Sequence, residues 1–353
     1  MNPHAAQTET PASGARHLSL DEFTAQARSP YGREEWSASN GVALLVVAVD
    51  AASASRHLAQ PGESLQALCP VVAHLREPVA AAGLGRFDAV LQDAASLSRV
   101  VATVTRAPMA ASVLVQLLRA AEGIPARHAL TLESMAFATV QGGGEYKRLL
   151  ADWQRDAGTV AASSRSRDLA VQVERHGDHL DLILNRPQQR NAICSAMRDA
   201  LSEALDLALA DDAIRTIGLS GAGSCFSIGG DRLEFGRAQD PLFAHQVRTL
   251  RSPAWRVLEC GPRLSVRVHS ACIGAGIELA AFAHHIEAEP GAFFQLPELS
   301  FGLIPGAGGT VSLPRRIGRQ RTAWLALTGR RLNAATALSW GLVDSVRKSG
   351  AGG

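Results

Sequence analysis

The sequence predicts an α/β protein whose mainly parallel sheet is covered by helices. From residue 169 onward, strand and helix patterns alternate, and several of the loops between them are rich in glycine. Such an alternation implies parallel strands joined by crossover helices. The composition is that of a globular chain, because 46% of the 353 residues are hydrophobic and 19% are charged. A chain of this length can form two domains.

The first half of the chain has a pattern of its own. Residues 1–18 are small, polar and proline-containing, which predicts a disordered tail. The apolar runs at 42–50 and 69–75 predict two buried strands. Over residues 91–153, apolar residues recur three and four positions apart, which predicts a series of helices. Residues 19–157 are therefore expected to form an α/β region that becomes helical.

A Ser/Arg-rich stretch at 158–168 predicts a linker between this region and the rest of the chain. The elements predicted after it are, in order, paired strands at 169–187 around a Gly-Asp turn, an amphipathic helix at 195–212, a strand at 214–221 and a strand at 262–273. We expect a core domain over 169–346 and a flexible tail over 347–353.

Charge and composition argue against several classes of partner. The formal net charge is only +2, so no electrostatic bias points to nucleic acid or to a membrane surface. The longest apolar runs are too short to span a bilayer. The five cysteines are scattered without zinc-type spacing, which is typical of reduced, buried thiols. We predict a cytoplasmic protein with no nucleic-acid partner, no membrane association and no metal.

Three segments carry the candidate chemistry. They are "CFSIGGDRLEF" at 225–235, "SACIGAGIELAAFAHH" at 270–285 and "FQLPELSFGLIPGAGGTVSLPRRIG" at 294–318. Taken singly, each fits close backbone packing, a capped turn or a surface acid. The "PGAGG" run also lacks the Lys-Ser/Thr of a P-loop and the spacing of a dinucleotide fingerprint.

Taken together with "LNRPQQRNAICSAM" and "LTGRRLNAATALSWGLVDSV", these segments resemble the crotonase superfamily, whose prototype is enoyl-CoA hydratase. The resemblance covers residues 169–346 in the family's order and spacing. It implies a crotonase-like ββα superhelix and an acyl-CoA thioester as substrate. It also implies no cofactor other than the CoA of the substrate, and a homotrimer or hexamer.

The resemblance implies a catalytic role for five residues. The backbone N–H groups of Gly230 and Ala275 would stabilise the enolate that forms at the thioester carbonyl. Glu278 and Glu298 would hold one water between them, with one acid acting as base and the other as proton donor. Gly306 matches the backbone position that helps to hold this water.

Residues around the first glycine turn are implied to contact the substrate or its CoA: Ser227, Ile228, Asp231 and Arg232. Arg232 equally fits a solvated surface arginine, because the lysine that the family often has one position further is Leu233 here. A further departure is the pair His284–His285, where relatives commonly have an acid. A core or interface role is the default interpretation of this pair.

A larger departure concerns the helical domain that follows the core in typical crotonases. The sequence ends soon after the core, whereas residues 85–153 resemble such a tail, with an acid-containing helix around Glu133. Our hypothesis is that the first half is a degenerate crotonase remnant whose helices stand in for the missing ones, as in a circular permutation. The alternative is that residues 1–157 are an unrelated helical module used for a partner.

The glutamate pair leads to the functional prediction. It favours an enoyl-CoA hydratase that adds water syn across the double bond of a 2-enoyl-CoA. The unusual architecture favours other crotonase-type reactions on acyl-CoA, such as isomerisation or a specialised hydrolase or lyase reaction. A non-catalytic crotonase-like subunit is the third alternative, and the presence of both glutamates argues against it.

Overall fold

The computed structural model describes residues 14–27, 29, 31–58, 67–79, 83–157, 169–238 and 240–347. The predicted linker at 158–168 and residues 348–353 of the predicted tail lie outside them. The elements of the first half are β1 Ala15–Ser19, α1 Leu20–Ala27, α2 Gly32–Glu35, β2 Leu44–Val49, α3 Ala51–His57, β3 Val71–Leu75, β4 Ala89–Leu91, α4 Ala94–Arg106, α5 Pro108–Ala120, α6 Ala126–Gly142 and α7 Gly144–Ala157.

The first half contains a parallel sheet in the order β1-β2-β3-β4. Strands β2 and β3 confirm the two predicted buried strands. The predicted disordered tail is wrong for residues 15–18, which lie in the edge strand β1 and pair with β2. Leu18 is buried in that strand while its neighbours are exposed, so a single apolar side chain anchors a segment that otherwise has a polar composition. Residues 1–13 lie outside the described part of the chain.

The predicted helical region is confirmed as helices α4 to α7. Asp93 caps α4 by accepting a hydrogen bond from the Ser96 amide at 2.7 Å. Pro108 begins α5 at a position where its missing N–H costs no intrahelical bond. Within the described ranges, no single helix is long and apolar enough to cross a membrane; the successive helices α4 and α5 pass that test only jointly, by length and composition, and are bent by 109°.

The elements of the second half are β5 Val171–His176, β6 His179–Leu184, α8 Ser195–Ala210, β7 Thr216–Gly221, α9 Pro241–Leu250, α10 Pro253–Cys260, β8 Leu264–Val268, β9 Ala271–Ile273, α11 Ala275–Ala280, β10 His285–Ala288, β11 Phe293–Gln295, α12 Gly309–Ile317, α13 Arg319–Thr328, β12 Leu332–Asn333, α14 Ala334–Trp340 and β13 Ser345–Val346.

These strands form two sheets. The larger has the order β13-β10-β8-β7-β6-β5 and is parallel except for the β5–β6 hairpin. The smaller has the order β12-β11-β9. The strand predicted at 262–273 is therefore two strands in different sheets. Ser270 turns the chain between them with a φ of 51°, a conformation that the apolar pattern alone does not indicate.

The two halves share one hydrophobic core. Helices α4 and α5 pack against α13, α6 packs against α9 and α12, and α7 packs against the 3-10 helix Glu298–Phe301. A single buried cluster includes side chains from β2 to β4, from these helices and from the main sheet. Helices α4 to α7 are therefore an integral layer of this chain, called the helical layer below. The circular-permutation hypothesis requires such packing.

A buried cluster of ion pairs joins the first half of the chain to α13. Asp88 is 1% exposed and accepts hydrogen bonds from Arg119 Nε at 2.8 Å and from Arg319 Nη1 at 3.2 Å. Its other oxygen accepts from the Val71 amide at 2.8 Å. Because Arg319 belongs to the second half and Arg119 to the first, this carboxylate links both halves in a site with little access to solvent.

The cysteines agree with the predicted buried thiols. All five of them, Cys69, Cys194, Cys225, Cys260 and Cys272, are free and buried. In the described part of the chain, no cluster of three or more His, Cys, Asp or Glu side chains is placed to hold a metal ion.

Candidate active site

The first glycine turn, residues 227–230, is held against the second by backbone pairing. The Ser227 amide donates to Ala271 O at 3.0 Å, and the Ile273 amide donates to Ser227 O at 3.0 Å. Gly229 has a φ of +84°, which favours glycine. The sequence therefore places a glycine, which adopts this positive φ without strain, directly beside the second turn.

This pairing leaves the Gly230 amide free. The Ile193 amide donates to Gly229 O at 2.8 Å, and the Asp231 amide donates to Ile193 O at 3.0 Å. Both neighbours of Gly230 are thus tied to Ile193. Among the described residues, the N–H of Gly230 itself has no hydrogen-bond partner.

The second turn contains Gly274 and Ala275. Gly274 has a φ of +51°, and its amide donates to Gln295 O at 2.9 Å. Ala275 begins helix α11, and its N–H likewise has no partner in the described ranges. A Cβ on Gly229 would lie 2.8 Å from Ile273 O and 3.4 Å from Gly274 Cα, so the two turns touch through their backbones.

A cavity of about 30 Å³ lies where the two turns meet. Its lining residues are Ile228, Gly229, Gly230, Arg232, Phe235, Gly274, Pro297, Glu298, Phe301 and Leu303. A cavity of this size has room for a water molecule, and the Glu298 carboxyl in its wall is a polar partner for one. Glu298 is a wall residue, whereas Glu278 is not. The prediction that the two acids hold one water between them stays a prediction: only Glu298 lines this cavity, but its charge acts on Glu278.

Glu298 enters the cavity from the start of the 3-10 helix Glu298–Phe301. A Cβ on Gly274 would lie only 2.6 Å from Glu298 Oε1, so the carboxyl lies against the second turn. Its other oxygen, Oε2, is buried without a hydrogen-bond partner in the described part of the chain. An orphaned buried oxygen of this kind is costly and calls for a ligand, a water or a proton.

Glu278 is held by the loop that precedes α12. Its Oε2 accepts hydrogen bonds from the Ala307 amide at 2.8 Å and from the Gly309 amide at 3.0 Å. A Cβ on Gly309 would lie 2.5 Å from Glu278 Cγ, so only glycine allows this approach. The side chain is almost fully buried, and Oε1 has no partner among the described residues. Sequence patterning gave no indication of these amide bonds.

A third buried carboxyl comes from the first half. Glu133 on α6 accepts hydrogen bonds from the amides of Gly308 at 2.7 Å and Thr310 at 2.9 Å, and from the Thr310 hydroxyl at 2.7 Å. The acid-containing helix was predicted, but no role was assigned to its acid. The signal that could have identified it is a lone acid on the inner face of a helix expected to cover the site.

Burial and mutual repulsion disfavour ionisation of all three acids. Burial raises the pKa of Glu133 to about 7 and that of Glu298 to about 8. Burial, followed by the charges of Glu298 and Glu133, raises the pKa of Glu278 well above its usual range. Since Glu278 has two amide donors and Glu298 Oε2 has none, the geometry favours the proton on Glu298 and the negative charge on Glu278.

These shifts predict that the free energy of unfolding falls as pH rises from about 5 to about 8. In this window the folded state retains protons that unfolded Glu133 and Glu298 have already released, so stability is lost by at most about 1.4 kcal/mol per pH unit for each group. Urea unfolding across this range measures the slope, which Glu298→Gln should reduce. The exposed control Glu203→Gln should keep it. A flat profile in the wild type would contradict the raised pKa values.

The residues predicted to contact substrate divide into two groups. Ile228 and Arg232 line the cavity, and the guanidinium of Arg232 lies 5.0 Å from the ring centre of Phe301. Ser227 is wrong as a side-chain contact. It is fully buried beneath the turn, where its hydroxyl donates to Asn191 O at 2.8 Å and accepts from the Gly229 amide at 3.1 Å.

Asp231 is also engaged within the protein. Its carboxylate lies 3.4 Å from Arg186 Nη1 and accepts from the Leu233 amide at 3.1 Å. Gly306 lies under Phe137 of α6, whose ring would be 2.3 Å from a Cβ at that position. The helical layer therefore packs directly on the backbone that was predicted to hold the catalytic water.

Asn191 is a positioning residue for which the sequence analysis assigned no role. It is fully buried, and its side-chain amide donates to Ala222 O at 2.8 Å and to Cys225 O at 3.0 Å. Its φ is 53°, a conformation that asparagine adopts more readily than most residues. It holds the loop that leads into the first glycine turn.

The histidine pair lies at the start of β10, away from these turns. The His284 amide donates to the carbonyls of Gly261 and Leu264, and His285 Nε2 lies 3.1 Å from Ser345 Oγ. The side chain of His285 is half-buried, whereas that of His284 is exposed, so a core role is wrong for His284; an interface role for the pair stays a prediction.

Comparison with known proteins shows which family shares this sequence. A family model described as enoyl-CoA hydratase/isomerase matches residues 180–349. A putative enoyl-CoA hydratase/isomerase of Bacillus subtilis, YhaR, is 31% identical over 175 residues, which cover 49% of this chain and 68% of that protein. The chain belongs to the enoyl-CoA hydratase/isomerase family.

Other members of the enoyl-CoA hydratase/isomerase family differ in the reaction that their names give. The 2,3-dehydroadipyl-CoA hydratase of Escherichia coli is 34% identical over 175 residues, covering 49% of this chain and 68% of that protein. The 1,2-epoxyphenylacetyl-CoA isomerase of the same organism is 35% identical over 173 residues, covering 47% of this chain and 65% of that protein. The predicted crotonase membership and fold class are confirmed, whereas the family does not by itself select one reaction.

Proposed function

We propose that this chain is an enoyl-CoA hydratase that adds water syn across the double bond of a 2-enoyl-CoA. The observation that carries the proposal is the cavity between the two glycine turns. Gly230 and Gly274 line it, and the unpaired Oε2 of Glu298 lies buried at its wall. Polarising amides and a proton-donating acid are the groups that attack on an enoyl thioester requires.

The backbone amides of Gly230 and Ala275 have the role of an oxyanion hole. Both are free of partners in the described part of the chain, and the turns that carry them are in contact. Each amide that donates to the developing enolate oxygen lowers the barrier by about 3 kcal/mol. No cofactor beyond the CoA of the substrate is needed for this chemistry.

The two glutamates divide the proton transfers. Glu278, whose Oε2 accepts two loop amides, acts as the base: in its ionised form it accepts a proton from the water as the water oxygen bonds to Cβ of the substrate. Glu298, whose pKa of about 8 keeps it largely protonated at neutral pH, donates its proton to Cα. One proton is taken up and one is released, and the product is a 3-hydroxyacyl-CoA.

The cavity of about 30 Å³ has room for a water but is too small for an acyl-CoA. We infer that substrate access requires movement of the aromatic side chains of its wall. The Phe235 and Phe301 rings meet edge to face with centroids 5.7 Å apart, and Trp153 of α7 meets Phe301 in the same way at 6.3 Å. These rings belong to the 232–236 segment, the 3-10 helix and the helical layer.

We propose a trimer or hexamer as the assembly.

A second candidate, an enoyl-CoA isomerase, is favoured by one observation. Glu298 is in the cavity wall and Glu278 is not, and a single acid suffices to move a proton between two carbons of an enolate.

The assay that tests the proposal supplies crotonyl-CoA and quantifies 3-hydroxybutyryl-CoA, with a 3-enoyl-CoA in parallel. Hydration of crotonyl-CoA that Glu278→Gln abolishes is the expected result. Turnover of the 3-enoyl-CoA alone, retained in Glu278→Gln, would establish the isomerase. Absence of both activities would contradict an enzymatic function on these substrates.

A further inference from the structure

Four successive amides at the start of α12 point alternately to two buried carboxylates. The amides of Ala307 and Gly309 donate to Glu278 at 2.8 Å and 3.0 Å. The amides of Gly308 and Thr310, which alternate with them, donate to Glu133 at 2.7 Å and 2.9 Å. The backbone of 307–310 is thus hydrogen-bonded on both sides, to Glu278 of the core domain and to Glu133 of the helical layer.

The loop has little freedom to move between these acids. A Cβ on Gly308 would lie 2.5 Å from Phe282 Cε2, and one on Gly309 would lie 2.5 Å from Glu278 Cγ. The Thr310 hydroxyl adds a third bond to Glu133, at 2.7 Å. Any displacement of Glu133 must therefore shift the amides that hold Glu278.

The charged groups that face Glu133 are few. Arg248 of α9 attracts it, and the acids Glu278 and Glu298 repel and are repelled by it. Arg248 is itself anchored on α6, where its guanidinium donates to Ser134 Oγ at 3.3 Å and lies 4.5 Å from the ring centre of Phe137. Packing of α6 against α9 therefore sets both the position and the charge of Glu133.

We propose that Glu133, supplied by the first half of the chain, is a positioning residue of the active site. It holds the 307–310 loop against Glu278 and places a third buried carboxylate beside the pair of acids. The expected effects on kcat and on its pH profile rest on the proposed hydratase function. The placement of Glu133 and its effect on the titration of the other acids concern the protein without substrate.

The variant Glu133→Gln tests the inference, because it removes the charge and leaves one oxygen for two amides. We expect kcat for crotonyl-CoA to fall by about 10²-fold, since small misplacements of a catalytic group have effects of this size. We also expect the pH profile of kcat/KM to move to lower pH, because the remaining acids lose a negative neighbour.

Glu145→Gln is the matched control. Glu145 lies on α7 in the same helical layer, and its carboxylate accepts the amides of Met109 at 3.0 Å and Ala110 at 2.9 Å. It thus has the same kind of bond without contact to the 307–310 loop. Glu145→Gln should leave the pH profile of kcat/KM unchanged, whether or not the variant unfolds more readily than the wild type.

A second variant and a second readout keep the test decisive. Thr310→Val removes one of the three donors to Glu133 and should move the profile in the same direction by a smaller amount. Carboxyl ¹³C titration of Glu-labelled protein without substrate should show Glu278 and Glu298, assigned from their Gln variants, releasing protons at lower pH in Glu133→Gln.

The outcomes separate the two proposals. A folded Glu133→Gln protein with wild-type kcat, pH profile and carboxyl titration would overturn the role of Glu133 while leaving the hydratase function intact. A wild type that hydrates nothing, combined with the shifted titration, would overturn the function and support the placement of Glu133. If Glu133→Gln does not fold, an unchanged profile and titration in Thr310→Val would overturn the inference.

Discussion

Replacing Glu298 with Gln is expected to lower kcat for crotonyl-CoA hydration by about 10³-fold, within the range of a single general acid. Gln keeps the shape of the side chain but has no proton to give at neutral pH. Glu278→Gln should cause a loss of similar size, because its neutral amide cannot accept the proton of the water. Stopped assays of 3-hydroxybutyryl-CoA formation measure both effects.

The exposed acid Glu203 on α8 provides the control, and Glu203→Gln should retain wild-type kcat. Affinity for the substrate should change little in the two active-site variants, since the thioester oxygen is bound by backbone amides. Equal rates in wild type, Glu278→Gln and Glu298→Gln would contradict the acid–base assignment.

Replacing Asp88 with Ala is expected to lower the free energy of unfolding by about 3–5 kcal/mol, the usual cost of leaving buried charges unpaired. The side chains of Arg119 and Arg319 are 16% and 11% exposed. The variant leaves Arg119 with carbonyl acceptors and Arg319 with the exposed Glu122 as its remaining ion pair, and it removes the acceptor of the Val71 amide. Because the cluster joins the first half to α13, the loss should affect the whole molecule in one transition. Urea unfolding followed by tryptophan fluorescence measures it.

Asp21→Ala is the matched control for this prediction. Asp21 also has two basic partners, Arg56 and His57, but its own side chain is 53% exposed. An exposed pair of this kind is screened by solvent and contributes little to stability, so the loss in Asp21→Ala should be much smaller than that in Asp88→Ala. A stability of Asp88→Ala equal to that of Asp21→Ala would show that the halves are not joined through this carboxylate.

Motifs with a fixed local meaning were predictable from the sequence. The glycine turns at 227–230 and 274–275 require small residues and positive φ, so their residue types indicate their backbone shape. Buried strands such as β2 are recognisable because a continuous apolar run fits only the inside of a sheet. These features depend on neighbours close in the chain.

The remaining features depend on contacts between distant segments. Glu133 reaches a loop that lies 175 and 177 positions further along the chain, and no local pattern records that contact. Strand β1 forms because it pairs with β2, a contact that its own polar composition does not indicate. The hydrogen bonds that hold Glu278 come from loop amides, which carry no side-chain signature. Tertiary contacts decided each of these outcomes.

The central claim is that the amides of Gly230 and Ala275 converge on a thioester oxygen. The ¹³C chemical shift of the carbonyl of bound [1-¹³C]butyryl-CoA, a saturated ligand that cannot be hydrated, tests it most directly. We predict a downfield shift on binding that Glu298→Gln retains. Gly274→Ala should reduce it, because its Cβ would lie 2.6 Å from Glu298 Oε1 at a φ of +51°. A bound thioester whose carbonyl resonates at the position of free butyryl-CoA would contradict the claim.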